Sequence, residues 1–148
     1  EIVMLPVGTE APVFNVKDHN NNSVSLKDYR GKVVVLWFYP KADTPGCTQE
    51  GKGFRDLYKE FEGKNVVVLG VSLDTVEENK AFADKFKFPY PLLCDVDREI
   101  AKSYCAISGP NDDYASRITY VIDNLGVIIE AIEEVNTATH AKDICSLI

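Results

Sequence analysis

Two continuous apolar runs mark the middle of the chain as buried β-structure. Residues 33–39 read Val-Val-Val-Leu-Trp-Phe-Tyr, and residues 66–72 are almost as apolar. A strand shows such an unbroken run when both of its faces are covered, as in the centre of a parallel sheet. The pattern therefore predicts two central strands that are joined by a helical crossover.

Helical spacing follows the first run. Aromatic and aliphatic residues recur there at intervals of three and four: Phe54, Leu57, Tyr58 and Phe61. This spacing predicts one amphipathic helix that begins close to Cys47 and ends at Gly63. Further helices are predicted over residues 77–87, 97–104 and 139–147.

Shorter strand signals lie at the two ends of the chain. Residues 13–16 and 24–26 flank a polar turn, which predicts an N-terminal β-hairpin, and residues 25–31 form a short helical turn. Residues 91–94 are a short strand, and residues 118–122 and 127–132 form a late hairpin. Strands that alternate with helices predict an α/β fold of the thioredoxin-like kind, with a central mixed sheet flanked by helices.

Length and charge restrict the function classes. The 148 residues are 45% hydrophobic, which predicts a single domain over residues 1–148. The net charge is −7, and the sequence shows no basic stripe that would bind nucleic acid or an anionic membrane. No apolar run approaches the roughly 20 residues of a spanning helix, and no secretory segment is visible. We expect a cytoplasmic protein, although a chain that begins at Glu1 leaves open whether a targeting segment was removed.

The loop between the first central strand and its helix holds the candidate chemistry. Thr44 is in position to cap the helix with its hydroxyl, and Pro45 suits the first helical position. Cys47 then lies in the first turn, where free N–H groups and the helix dipole favour an anion such as a thiolate. The four cysteines are few for a disulfide scaffold, and their apolar neighbours indicate free thiols in a reducing compartment.

Other cysteine chemistries fit the spacing poorly. A dithiol oxidoreductase needs a second cysteine three residues from Cys47, where Thr44 and Glu50 stand instead. Zinc would need clustered ligands, whereas His19 and His140 are isolated and are interpreted as ordinary surface or capping residues. No sequence feature marks His140 as the base of a cysteine hydrolase. The residues alone leave two hypotheses: redox chemistry by one nucleophile, or a binding module with a structural cysteine.

The segment around Cys47 resembles the active site of the peroxiredoxins. The pattern is Pro40-x-x-x-Thr44-x-x-Cys47, and its surroundings are similar to the bacterioferritin-comigratory, or Q-type, branch. The resemblance runs nearly end to end, through residues 8–14, 70–74, 91–95 and 117–123. It implies a thiol-dependent peroxidase that reduces hydrogen peroxide and organic hydroperoxides through a sulfenic acid on Cys47, with no cofactor.

The same resemblance implies a role for five residues. Cys47 would be the peroxidatic cysteine, and Thr44 would hydrogen-bond the peroxide through its hydroxyl. Pro40 would shield the thiolate from water. Arg117 would place its guanidinium beside Cys47 and the peroxide, and Glu50 would orient that guanidinium. Since one preorganised donor is typically worth roughly 10²–10³ in rate, these groups would contribute more than the supply of thiolate.

The chain departs from the Q-type pattern where a resolving cysteine is often found. Lys52 stands five residues after Cys47, and residues 77–87 contain no cysteine. We therefore expect a one-cysteine cycle, in a monomer or weak homodimer, that uses thioredoxin, glutaredoxin or a small thiol as reductant. Two alternatives stay open. One is a redox sensor or chaperone, and the other is an atypical two-cysteine cycle that uses Cys94, Cys105 or Cys145.

Overall fold

A computed structural model describes residues 3–109 and 111–148 as a layered α/β structure. Its strands are β1 (Asn15–Lys17), β2 (Ser23–Ser25), β3 (Val33–Phe38), β4 (Val66–Ser72), β5 (Leu92–Cys94), β6 (Thr119–Ile122) and β7 (Ile128–Ile132). Its helices are α1 (Pro45–Asp56), α2 (Tyr58–Gly63), α3 (Val76–Phe86), α4 (Glu99–Ser103) and α5 (His140–Leu147). In this described part of the chain, no helix has the length and apolar character needed to cross a membrane.

The central sheet has the order β5-β4-β3-β6-β7. Strands β3, β4 and β5 are parallel, whereas β6 pairs antiparallel with both β3 and β7. Strands β1 and β2 form a separate antiparallel pair. The sheet is therefore mixed, with β3 at its centre and a hairpin before it, which confirms the predicted fold class.

The alternating side chains of β3 divide the interior into two cores, because successive residues of a strand point to opposite faces of the sheet. Leu36 and Phe38 pack on one face, beneath α4. Trp37 packs on the other face, where its ring stacks on Phe54 of α1 at 5.3 Å between centroids. Cys47 belongs to this second core and is fully buried. The burial of β3 on both faces thus follows from its unbroken apolar sequence.

The helix predicted to run to Gly63 is in fact two helices. The backbone leaves helical geometry at Leu57, with φ −101° and ψ 8°, so that α1 ends at Asp56 and α2 begins at Tyr58. The Leu57 carbonyl accepts from both Glu60 and Phe61, which tightens the turn at the break. The hydrophobic spacing continues across Leu57, so periodicity gave no sign of the interruption.

Left-handed residues set the ends of two other helices. Arg98 has φ 67° and precedes α4, which makes this helix shorter than the predicted range 97–104. Lys87 has φ 57° and ends α3. The remaining predicted elements lie within one or two residues of the observed ones, which is the usual uncertainty of element boundaries.

Candidate active site

The site lies where β3 gives way to α1, at the carboxyl end of a central strand. Thr44 is the last extended residue before α1, and Pro45 occupies the first helical position, as predicted. Cys47 is the third residue of the helix, so it lies in the first turn, where backbone N–H groups have no partner within the helix. The thiol is buried against the aromatic core.

Arg117 donates a hydrogen bond to this thiol. Its Nη2 lies 3.5 Å from Cys47 Sγ. Arg117 lies two residues before β6, and the register of this strand, which pairs Thr119 with Trp37, places Arg117 beside the loop that leaves β3. Burial alone would lower the pKa of Arg117, but the charges of Cys47 and Glu50 outweigh it and raise that pKa. The guanidinium is therefore a permanent positive charge at the sulfur.

Glu50 holds the other side of the guanidinium. Its Oε1 accepts from Arg117 Nη1 at 2.8 Å. Glu50 lies three residues after Cys47 on α1, so both side chains face Arg117. Burial raises the pKa of Glu50 to about 7, even though the hydrogen bond and charge of Arg117 lower it. Near neutral pH this carboxyl group can therefore change its protonation state.

The Thr44 hydroxyl points away from the helix that it was predicted to cap. It donates to the Lys41 carbonyl at 2.7 Å and, among the described residues, makes no capping bond to α1. The loop turns so tightly that this carbonyl, three residues back, is within reach to accept the hydrogen bond of the hydroxyl. The capping prediction is wrong, but it leaves the lone pairs of Thr44 Oγ1 as acceptors. Pro40 lies partly buried in the same loop.

Asp74 anchors the loop that precedes Cys47. In the sequence it was only the last residue of the family-like segment 70–74, and no role was predicted for it. This carboxylate lies just after β4 and is almost fully buried. It accepts from the Ala42 backbone N–H at 2.8 Å and forms an ion pair with Lys41. A second ion pair joins Asp43 to Lys85 at 3.0 Å. The loop before Cys47 is thus tied to the segment that leaves the neighbouring strand.

Gly46 was also missed. A Cβ at this position would lie 2.9 Å from Arg117 Nη2, closer than such contacts allow. A methyl group at this position would therefore require the guanidinium to shift from its place beside Cys47 Sγ. The Pro-Gly-Cys order was a visible signal, but the reason for the glycine lies in a residue 71 positions later in the chain.

Both histidines are buried, which corrects their interpretation as surface or capping residues. His140 is 3% exposed, with Nε2 lying 2.8 Å from Thr119 Oγ1 and 3.7 Å from Glu50 Oε2. Burial lowers the pKa of His140 to about 4, so the ring is neutral at neutral pH. His19 accepts from the Leu92 backbone N–H through Nδ1. The partners of both rings are distant in sequence, which hid their positions.

The other three cysteines occupy separate environments. In the described chain all four thiols are free. Cys94 accepts from Asn79 at 3.4 Å, and burial raises its pKa to about 11. Cys145 faces Glu60 on α2, and burial raises its pKa as well. Cys105 follows α4 with φ 61°, beside the core on the opposite face of the sheet from Cys47.

The arrangement suits attack by sulfur on a polar bond. It combines a buried thiol at a helix N-terminus, a guanidinium beside the sulfur, and a hydroxyl with free lone pairs. Among the described residues, no group of three His, Cys, Asp or Glu side chains is placed to hold a metal ion.

Comparisons with known proteins agree with this chemistry. The AhpC/TSA family model matches residues 7–131. The chain is 37% identical over 145 residues to the putative peroxiredoxin bcp of Coxiella burnetii, covering 95% of this chain and 96% of that protein. It is 40% identical over 121 residues to the chloroplastic peroxiredoxin Q of Sedum lineare, covering 82% of this chain but only 65% of the longer plant protein. The crystal structure of peroxidoxin BcpB from Mycobacterium tuberculosis superposes with a TM-score of 0.89 at 32% identity, covering 96% of this chain and 95% of that one.

Proposed function

Because the chain belongs to the AhpC/TSA family and, within it, to the bacterioferritin-comigratory or Q-type peroxiredoxins, it is a thiol-dependent peroxidase, and we propose that Cys47 is the residue its peroxide substrate oxidises. The observation that carries the proposal is the hydrogen bond from Arg117 to the Cys47 sulfur. It places a fixed positive charge where a thiolate would need one, at the start of a helix that favours the same anion.

The proposed step is a displacement at oxygen. The Cys47 thiolate attacks the terminal oxygen of the peroxide, an S–O bond forms, and the O–O bond breaks. The electron pair of that bond leaves with the second oxygen, which takes up a proton to give water or an alcohol. Cys47 is oxidised to the sulfenic acid, while the peroxide is reduced. Negative charge moves from the sulfur to the leaving oxygen during this step.

The neighbouring groups stabilise that moving charge. Arg117 carries two N–H bearing nitrogens at the site, one on Cys47 Sγ and one on Glu50. The guanidinium can therefore follow the charge from sulfur to oxygen without leaving its anchor. Thr44 Oγ1 donates its hydrogen to the Lys41 carbonyl, so it is left to accept a hydrogen bond from the O–H of the peroxide, which orients the substrate. Pro40, in the same loop, shields the thiolate from water.

The sulfenic acid is then reduced by an external thiol. Two reductant thiols convert it to the free Cys47 thiol, one water and a reductant disulfide. The contacts of the other cysteines support this one-cysteine cycle. Cys145 donates to Glu60 on α2, and Cys105 lies beside the core on the other face of the sheet from Cys47. The raised pKa of Cys94 keeps that thiol protonated and a poor nucleophile at neutral pH. We propose thioredoxin, glutaredoxin or a small thiol as reductant, and hydrogen peroxide or an organic hydroperoxide as substrate.

The proposal is tested without any reductant. One equivalent of hydrogen peroxide is added to the reduced protein with a sulfenic-acid trap present, and intact mass and a peptide map are read. We expect the trapped adduct on Cys47 alone, and none in a Cys47→Ser variant. A disulfide from Cys47 to another cysteine would support the peroxidase but overturn the one-cysteine cycle. A folded protein whose Cys47 stays unmodified would overturn the role of Cys47.

A further inference from the structure

Glu50 has two carboxylate oxygens, and Arg117 uses only one of them. Oε1 accepts from the guanidinium, whereas Oε2 is buried and has no hydrogen-bond partner among the described residues. We infer that His140 is a positioning residue for the reaction: its Nε2–H faces Glu50 Oε2, and this holds the carboxylate that aims Arg117 at Cys47. The inference rests on the proposed role of Cys47.

The distances support this contact. His140 Nε2 lies 3.7 Å from Glu50 Oε2 and 2.8 Å from Thr119 Oγ1. A displacement of less than about 1 Å would bring the first distance into the hydrogen-bonding range. Leaving a buried carboxylate oxygen without a donor is costly, so the free energy favours that displacement whenever Glu50 is ionised. Both side chains are almost wholly removed from water, so bulk solvent does not supply the missing donor.

The state of the histidine ring follows from its surroundings. The charged groups that face it are Glu50 from α1, Arg117 from the segment before β6, and Asp143 from its own helix. Because the ring is neutral, only one of its nitrogens carries a proton. An ionised Glu50 would repel the lone pair of an unprotonated Nε2, and it therefore selects the tautomer with the proton on that nitrogen. Thr119 can share this N–H through its oxygen.

The packing of α5 fixes where that donor lies. His140 is the first residue of α5, and the ring of Phe54 meets its ring edge to face at 5.7 Å between centroids. The next residue, Ala141, lies against Gly53 of α1. The C-terminal helix therefore reaches the pair formed by Glu50 and Arg117 through the side chain of His140.

A loss of this donor has a directional effect. Without it, the ionised form of Glu50 becomes less favourable, so the carboxyl group takes up a proton at a higher pH. A neutral Glu50 forms a weaker hydrogen bond with Arg117 than the carboxylate does. The guanidinium is then less well positioned to donate to the Cys47 sulfur. The pH below which kcat/KM falls should therefore be higher than in the wild type.

The test compares His140→Leu with His140→Gln, whose amide nitrogen can reach the position of Nε2. Peroxidase kcat/KM and the rate of Cys47 alkylation by iodoacetamide are both measured from pH 5 to 9. We expect His140→Leu to lower kcat/KM at pH 7 at least about fivefold and to raise the pH midpoint of both profiles by about half a pH unit. His140→Gln should stay within about twofold of the wild type. His140→Asn, whose shorter amide does not reach Glu50, should behave like His140→Leu and serves if that variant does not fold.

A double-mutant cycle with Glu50→Gln separates positioning from packing. Because His140 acts through Glu50, His140→Leu should change either rate by less than about twofold when Glu50 is already glutamine. An equal loss in both backgrounds, or wild-type profiles in folded His140→Leu, would overturn the inference. A wild-type protein without peroxidase turnover would sink the proposed function instead, and the alkylation profiles would still report the coupling between His140 and Cys47.

Discussion

The guanidinium of Arg117 packs so close to Gly46 that any side chain there would press against it. A Cβ there would lie 2.9 Å from Nη2, the nitrogen that donates to Cys47. We predict that Gly46→Ala displaces the guanidinium and lowers peroxidase kcat/KM at least about tenfold, approaching the loss expected for Arg117→Ala. Steady-state kinetics on folded protein check this.

The matched control for that substitution is Gly63→Ala. Gly63 ends α2, and among the described residues nothing lies within 4 Å of the Cβ that it would acquire. This variant should keep wild-type kcat/KM. Equal activity in Gly46→Ala and the wild type would mean that the contact between Arg117 and Cys47 does not matter for the reaction.

The Thr44 hydroxyl donates a hydrogen bond to the Lys41 carbonyl, and its oxygen can still accept one from the substrate. Thr44→Val removes both, and we predict a loss of at least about tenfold in kcat/KM with the fold intact. Thr44→Ser keeps the hydroxyl and should retain activity within about threefold. Far-UV circular dichroism and kinetics on both variants are the measurements. A fully active valine variant would remove Thr44 from the mechanism.

The carboxyl group of Glu50 should make both activity and stability depend on pH. Burial raises its folded-state pKa to about 7 from the ordinary 4.5. The folded protein therefore holds a proton that the unfolded chain releases, so the stabilisation from Glu50 is complete below about pH 4.5 and is lost as the pH rises through about 7. Activity should run the opposite way, since the ion pair with Arg117 needs the carboxylate, and kcat/KM should fall as the pH drops below about 7.

Denaturant unfolding at pH 5 and pH 8 measures the stability part of this prediction. We subtract the free energy of unfolding at pH 8 from the value at pH 5 for each protein. This difference should be larger in the wild type than in Glu50→Gln, by on the order of 2 kcal/mol. Identical differences in the two proteins would show that Glu50 does not titrate in this range.

Asp74 should matter for the loop before Cys47. Asp74→Asn keeps an acceptor for the Ala42 N–H but loses the ion pair with Lys41. We predict a fall of about 1–2 kcal/mol in the free energy of unfolding and a several-fold loss of kcat/KM. Lys85→Gln breaks the exposed pair with Asp43 and should change stability by less than about 0.5 kcal/mol, which makes it the control. Similar effects in the two variants would contradict an anchoring role for Asp74.

The predicted fold class was correct because its determinants are local. The apolar run of β3 showed a strand buried on both faces, and β4 has the predicted bounds. Spacing failed at Leu57, where the hydrophobic period continues although the helix does not. A backbone break of one residue changes two dihedral angles without changing which side chains face the core.

The amino-acid sequence by itself determined the strands, the amphipathic helices and the Pro40–Thr44–Cys47 pattern, since each depends on neighbours a few residues apart. Only the tertiary structure decided that Arg117 fills the space over Gly46, that the Thr44 hydroxyl turns to Lys41, and that His140 is buried beside Glu50. Most of these contacts join segments tens of residues apart, and they depend on strand register and helix docking to within about 1 Å. Local propensity carries no information at that precision, because it describes which element forms and not where its side chains meet another element.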